Sequence, residues 1–257
     1  MKKLSLFILI TLIIVTTFAV WRSAKKVTPG NSFETVIVGT NAEFQPFSFK
    51  EKNGEIVGFD IDVITEVLKR LNKRMIIKDM PFDALIPETQ LGNVYVIAAG
   101  ITPTKERAKR ILFTQPHLTN DALVIIKLKN DNTINSVHDL KGKTVIVNEG
   151  YTADSFASEL KDVNVVRLSS NAVSDGILSL HSKRADAFIT AENPTKPYFD
   201  LIGNNEFTII PIEDAQDTSA FAVSKHYPEL RDYIQITLDR MEADGTLAAL
   251  KKKWNLV

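Results

Sequence analysis

The sequence predicts an α/β protein built as two similar lobes, on three observations. Short apolar runs alternate with helical patterns along the chain. The segment TVIVGTNAEF from Thr35 is echoed by TVIVNEGYTADSF from Thr144, and each is followed by helix, strand, helix and strand. The polar turns TNAEFQPF, AAGITPT, NEGYT and TAEN all follow strands. In open α/β sheets ligands lie beyond the carboxyl ends of the strands, so the site is expected in a cleft between the lobes. Mostly parallel sheets are expected.

Residues 35–39 read as the first strand. Residues 52–63 read as a hairpin feeding a helix over 60–72, which sets Ile61, Ile64, Val67, Leu68 and Leu71 on one face. Asp60 and Asp62 suit the positive end of that helix. A Ca²⁺ or Mg²⁺ site there lacks its oxygen ligands. A strand over 74–78 precedes a short helix over 83–92, interrupted near Pro87, and a buried strand over 94–100. Thr102-Pro103 then opens a helix, with Thr102 as its N-cap. A strand over 121–127 follows. The second half repeats the plan with strand 144–150, helix 152–160, strand 163–168, helix 171–182 and strands 185–190, 208–212 and 219–224. In the last segment, 227–254, Leu230, Ile234, Leu238 and Met241 form a stripe that packs the C-terminal end onto the body.

Equal numbers of basic and acidic residues, 31 of each, give no sign of a nucleic-acid partner. With no cysteine, disulfides, thiolate metal sites, thiol nucleophiles and a lipid-modified cysteine are excluded. Four histidines without HExxH or paired spacing give no metal site, and no cofactor motif is present. Lys2 and Lys3 before an apolar stretch from Leu4 to Val20 have the pattern of a secretory signal peptide, taken as residues 1–24. A retained anchor is the alternative, since the stretch approaches spanning length. Either way the rest of the chain is exported, and cleavage after Ala24 leaves it mildly acidic.

Arg107 stands out near a helix start, where the helix dipole disfavours a cation. It reads as an anion receptor, with Thr102 adding a hydroxyl and Gly100 allowing close backbone approach. The alternative is a solvated basic face, which suits Lys105, Lys109 and Arg110 well. Phe44 and Phe82, on loops, are either walls of a slot for an apolar or cationic stem or lids on the core. Asn41, Glu43 and Gln45 offer polar contacts, although turn chemistry also accounts for Asn41. Thr152 is a second candidate N-cap, facing from the other half. Glu192 after a strand either meets an ammonium group or caps the next helix. No nucleophile elbow, P-loop or dinucleotide fingerprint is present, and the histidines lie outside the suspected turns.

The ordered set VGTNAEFQPFSF…GEIVGFDIDV, FDALIP, ITPTKERAKRILFTQPH, DLKGKTVIVNEGYTAD and MEADGTLAALKKKW resembles the polar-amino-acid solute-binding proteins of bacterial ABC importers, over about residues 33–256. Within them the chain is most similar to the arginine-binding (ArtJ-type) proteins, including the chlamydial ones. The resemblance implies a type II periplasmic-binding-protein-like fold, with two α/β lobes joined by two crossing strands around a ligand cleft. It sets lobe one at 33–120 plus 216–257 and lobe two at 121–215. It gives the ligand α-carboxylate to Arg107, with Gly100, Thr102 and Thr152 as amide and hydroxyl partners, and makes Phe44 and Phe82 a sandwich for the ligand side chain. Asn41 stands where many relatives have aspartate, and Ala99 and Gly100 stand where serines are common. Ala191 occupies the usual aspartate position, so the ammonium role moves to Glu192. Glu43 and Glu149 are candidates for the side-chain cation.

The function implied is an exported, periplasmic, monomeric receptor, not an enzyme. It takes L-arginine or another basic amino acid to the membrane subunits of an ABC permease. Two alternatives are a periplasmic dehydratase on the same fold and a membrane-anchored amino-acid sensor.

Overall fold

The computed structural model describes residues 34–169 and 173–256. The expected signal peptide, 1–24, lies outside the described residues, as do positions 171 and 172 of the expected helix over 171–182. Strands β1 (Thr35–Thr40), β2 (Glu43–Phe44), β3 (Ser48–Lys50) and β4 (Ile56–Val57) lead into helix α1 (Phe59–Arg70). Then come β5 (Arg74–Asp79), α2 (Phe82–Gln90), β6 (Val96–Ile97), the single turn α3 (Lys105–Ala108), β7 (Leu112–Phe113) and the long β8 (Leu118–Leu128). The second half holds β9 (Thr144–Asn148), α4 (Thr152–Glu159), β10 (Asn164–Leu168), α5 (Val173–His181), β11 (Ala187–Ala191), α6 (Thr195–Ile202) and β12 (Phe207–Ser219). The chain closes with β13 (Ala222–Val223), α7 (Pro228–Ala243) and α8 (Thr246–Lys253).

Two five-stranded sheets result, in the orders β5-β1-β6-β13-β7 and β10-β9-β11-β8-β12, with β2-β3-β4 as a small third sheet. The large sheets are mixed, not mostly parallel. β1 pairs in parallel with β5 and β6, and β9 with β10 and β11, but β13 runs antiparallel to β6 and β7, and β8 antiparallel to β11 and β12. The cause is topological. The chain leaves the first sheet along β8 and returns along β12, and two strands carrying a chain out and back must be antiparallel. Their ladder continues past the strand ends, with His117 N donating to Ser219 O at 2.9 Å and Thr114 N to Phe221 O at 3.0 Å.

The second sheet is buried on both faces, as alternate side chains along its strands show. Leu123, Ile125, Val145, Val147 and Ile189 join a core with Ala153 and Ala157 of α4. Val124, Ile126, Ile146 and Phe188 join a separate core with Ile177 and Leu180 of α5. The first sheet instead feeds one cluster that includes Val36, Val38, Ile64, Leu68, Leu85 and Ile97. The stripe of Leu230, Ile234, Leu238 and Met241 is fully part of it, each residue contributing about 1.5–3 kcal/mol of burial. Asp62 Oδ2 fastens the C-terminal end to α1, accepting from Lys253 Nζ and Trp254 Nε1, both at 2.7 Å. Pro87 lies inside α2 without ending it, and Leu91 N still donates to Pro87 O at 3.0 Å.

Candidate functional site

Three chain segments meet where the two sheets approach each other: the turn after β6, the turn after β9 and the end of β12. The first contains Thr102, but the N-cap of α3 is Thr104, whose Oγ1 accepts from Arg107 N at 3.2 Å. This corrects the expected cap and removes the electrostatic oddity, because α3 is one turn long and the side chain of Arg107 turns back from it. Arg107 Nη1 donates to Thr102 O at 2.7 Å, and Nη2 crosses to Gly150 O at 2.9 Å. Its guanidinium carbon lies 5.4 Å from the centre of the Phe82 ring. Burial lowers its pKa, and the charge of Asp217 opposes that shift. Among the described residues no carboxylate stands within ion-pair distance of this guanidinium.

Freed from capping, the Thr102 hydroxyl faces β12. Its Oγ1 lies 2.7 Å from Asp217 Oδ1 and 2.8 Å from Thr218 O, and accepts from Thr218 N at 3.2 Å. Asp217 is buried. Burial raises its pKa against the opposing hydrogen bonds from Thr102 and Thr152 and the charge of Arg107. Thr152 therefore reaches the site from the other sheet, though not as an N-cap. It is the first residue of α4, and Tyr151 holds the cap position.

Phe82 opens α2 and Phe44 ends β2, and they face the junction as expected. The space between them is filled by Tyr151. Its ring stacks on Phe82 at 4.0 Å and 25°, and meets Phe44 at 4.9 Å. The Tyr151 hydroxyl is 3.5 Å from Asn41 Oδ1, and Asn41 Nδ2 donates to Met80 O at 3.3 Å. Burial raises the Tyr151 pKa well above that of an ordinary phenol, the Arg107 charge opposing it. Phe44 and Phe82 thus flank a side chain of the protein itself, because a bulky ring follows Gly150 in the turn.

Gly100 is corrected more fully. Its N–H donates to Asp60 Oδ2 at 2.7 Å, so that amide is committed inside the fold. Its φ is +62°, and a Cβ there would lie 2.8 Å from Phe44 Cε1. The glycine makes room for Phe44. Asp60 itself is fully buried and also meets His117 Nε2 at 2.9 Å and Ser219 Oγ at 3.0 Å. One carboxylate therefore ties the turn after β6 to the start of β8 and the end of β12, a role beyond that of a first-turn acid.

The remaining candidates are more peripheral. Glu43, on β2, is exposed at the rim beside Phe44. Glu149 is also exposed, and its N–H extends the β9–β10 ladder to Leu168 O at 2.9 Å. Among the described residues no side-chain hydrogen bond or ion pair joins Glu149 to Arg107. Glu192 follows β11, its N–H held by Ala122 O at 2.9 Å and its carbonyl accepting from Thr195 N at the start of α6. Sequence reasoning missed Asp217 and Tyr151. The first was signalled by an acid flanked by threonine and serine late in a long β pattern, the second by a large aromatic between a turn glycine and a helix start. No group of three or more metal-ligating side chains occurs among the described residues.

Two α/β lobes joined by a pair of crossing strands, with the half-buried Arg107 guanidinium and the buried Asp217 carboxylate near their junction, make the architecture of a two-lobed binding protein. The chain belongs to the bacterial extracellular solute-binding proteins, family 3, whose pattern matches residues 36–257. It is 32% identical over 220 residues to the arginine-binding extracellular protein ArtP of Bacillus subtilis, covering 85% of each chain. It is 31% identical to the histidine-binding periplasmic protein of Escherichia coli K12, covering 99% of this chain and 97% of that one. Among solved structures it resembles an ancestral arginine-binding protein bound to arginine, with TM-score 0.80 and 34% identity, covering 86% of this chain and 98% of that one.

Proposed function

We propose that this chain is an exported receptor for a cationic L-amino acid, foremost arginine, which it passes unchanged to the membrane subunits of an ABC permease. The observation that carries the reading is Arg107, a half-buried guanidinium at the lobe junction whose hydrogen bonds, among the described residues, go to carbonyl oxygens and not to a carboxylate. A ligand carboxylate replaces the Gly150 carbonyl as a charged, bidentate partner and gains from low local polarity. Thr102 and Thr152 flank that position from the two lobes. Phe44 and Phe82 are the walls for the ligand side chain, and a guanidinium suits a slot between aromatic faces. Glu43 at the rim is the candidate partner for its charge. The names of ArtP and of the arginine-bound ancestral protein support arginine, and the periplasmic relative supports export.

On this reading lobe one is 33–120 plus 216–257, lobe two is 121–215, and the receptor acts as a monomer. Binding draws the lobes together across Arg107, and the closed form is the one that docks. Isothermal titration against arginine, lysine, histidine and glutamine tests it. Arginine is expected to bind most tightly, and failure of every basic amino acid to bind overturns the assignment.

A further inference from the structure

We infer that Asp217, on the returning strand β12, is the acceptor for the ligand's α-ammonium group. This rests on the amino-acid reading above and names a residue for the end of the ligand opposite Arg107.

Asp217 is 8% exposed, and among the described residues no lysine, arginine or histidine lies within ion-pair distance of it. A buried carboxylate without a cation costs several kcal/mol, so the position is stable only with strong hydrogen bonds or a charged partner. Hydrogen bonds come from Thr102 on one lobe and Thr152 on the other. The charge of Arg107 also acts on it, from beyond ion-pair distance. When Arg107 takes a ligand carboxylate its charge is spent on that anion, and Asp217 is left facing the same ligand.

A shared anchor suits a zwitterion. Arg107 Nη1 is held by the carbonyl of Thr102 and Asp217 Oδ1 by its hydroxyl. The two charges thus sit on one residue, as the ammonium and carboxylate of an α-amino acid sit on one carbon. Other charged and titratable groups around Asp217 are Asp121, its register partner on β8, and Tyr151. Asp121 is committed elsewhere, accepting from Asn193 N at 2.9 Å, and burial raises its pKa to about 7. Ala191 offers no charge, and Glu192 lies one residue beyond the end of β11.

The test compares L-arginine with 5-guanidinopentanoate, which keeps the carboxylate and guanidinium and lacks the ammonium. Titration of the wild type should show arginine bound at least about thirtyfold more tightly. In Asp217→Asn, which keeps an oxygen for Thr102, arginine should fall to the level of the analogue, whose own affinity changes less than about threefold. An equal loss for both ligands means that Asp217 only positions Thr102 and Thr152, and overturns the inference. So does a Glu192→Gln variant that loses the discrimination while Asp217→Asn retains it. If the receptor takes glutamine in place of arginine, glutamine and its deamino analogue form the pair, and the cationic reading fails alone. If no amino acid binds the wild type, both fall together. A crystal structure of the wild-type complex decides the point without substitution. The ammonium nitrogen is expected within about 3.2 Å of an Asp217 oxygen, and its placement on another acid overturns the inference.

Discussion

Strands β1 and β9 begin with the same four residues, Thr-Val-Ile-Val, and occupy equivalent places in their sheets. Each pairs in parallel with two neighbours, β5 and β6 or β10 and β11. Their turns then diverge. After β1 most of the hydrogen bonds stay on the same side: Thr40 Oγ1 bonds Ser48 Oγ at 2.7 Å and Ala98 O at 2.5 Å, and Ala42 N bonds Asp79 Oδ1 at 2.9 Å, with Asn41 Oδ1 alone of these groups meeting the β9 turn, at the Tyr151 hydroxyl. After β9 the turn reaches outward, setting the Gly150 carbonyl on Arg107 and the Tyr151 ring between Phe44 and Phe82. Identical strands therefore give one turn that builds a wall and one that enters the space the wall encloses. Strand sequence sets the sheet, and the residues just past its end set the function.

The strongest way to break this comparison is to remove the group that the β9 turn reaches. Arg107→Ala should weaken arginine binding at least about hundredfold, because the ligand carboxylate loses its charged, bidentate partner. Its melting temperature should stay within a few degrees of the wild type, and retained affinity in calorimetry would disprove the role. Next is the ring that crosses. Tyr151→Ala should destabilise the protein by about 3 kcal/mol, since a buried aromatic is truncated. It should also tighten arginine binding several-fold, because the ligand no longer competes with the ring for the slot. Denaturant unfolding and titration check the two halves, and weaker binding would show that the ring is part of the ligand's wall.

The smallest effect separates the turn glycines. Gly100 and Gly150 both have positive φ, +62° and +77°, so alanine costs about 1–2 kcal/mol at either. Only Gly100→Ala also drives a Cβ to 2.8 Å from Phe44, whereas at Gly150 the nearest atom is 3.7 Å away. Gly100→Ala should therefore be the more destabilising of the two, and chemical denaturation of both variants ranks them. The reverse order would mean that the β9 turn, not the turn after β6, is the rigid one.

Much of this was legible in the sequence. The stripe from Leu230 to Met241 and the helical face from Ile61 to Leu68 read correctly because their period reports burial directly. The strand-end turns pointed to Arg107 and Thr102, and the structure sets both where the two sheets approach each other. Helix caps were less legible: Thr102 and Thr104 are chemically equal candidates, and only the path of the chain gives the cap to Thr104 and the Thr102 hydroxyl to Asp217. Gly100 was misread because its partner, Asp60, is forty residues away.

The sequence by itself determined the α/β class, the two-lobed plan, the family and the arginine at the junction. These depend on local periodicity and on motif order, which a linear chain displays. Only the tertiary structure decided that the sheets are mixed, that Asp60 binds the Gly100 amide, that Asp217 stands beside Thr102, and that Tyr151 fills the slot. Each joins residues from about 40 to 115 positions apart in the chain. Such pairings are chosen by packing and by the need to partner buried polar groups, and no spacing rule along the chain encodes them.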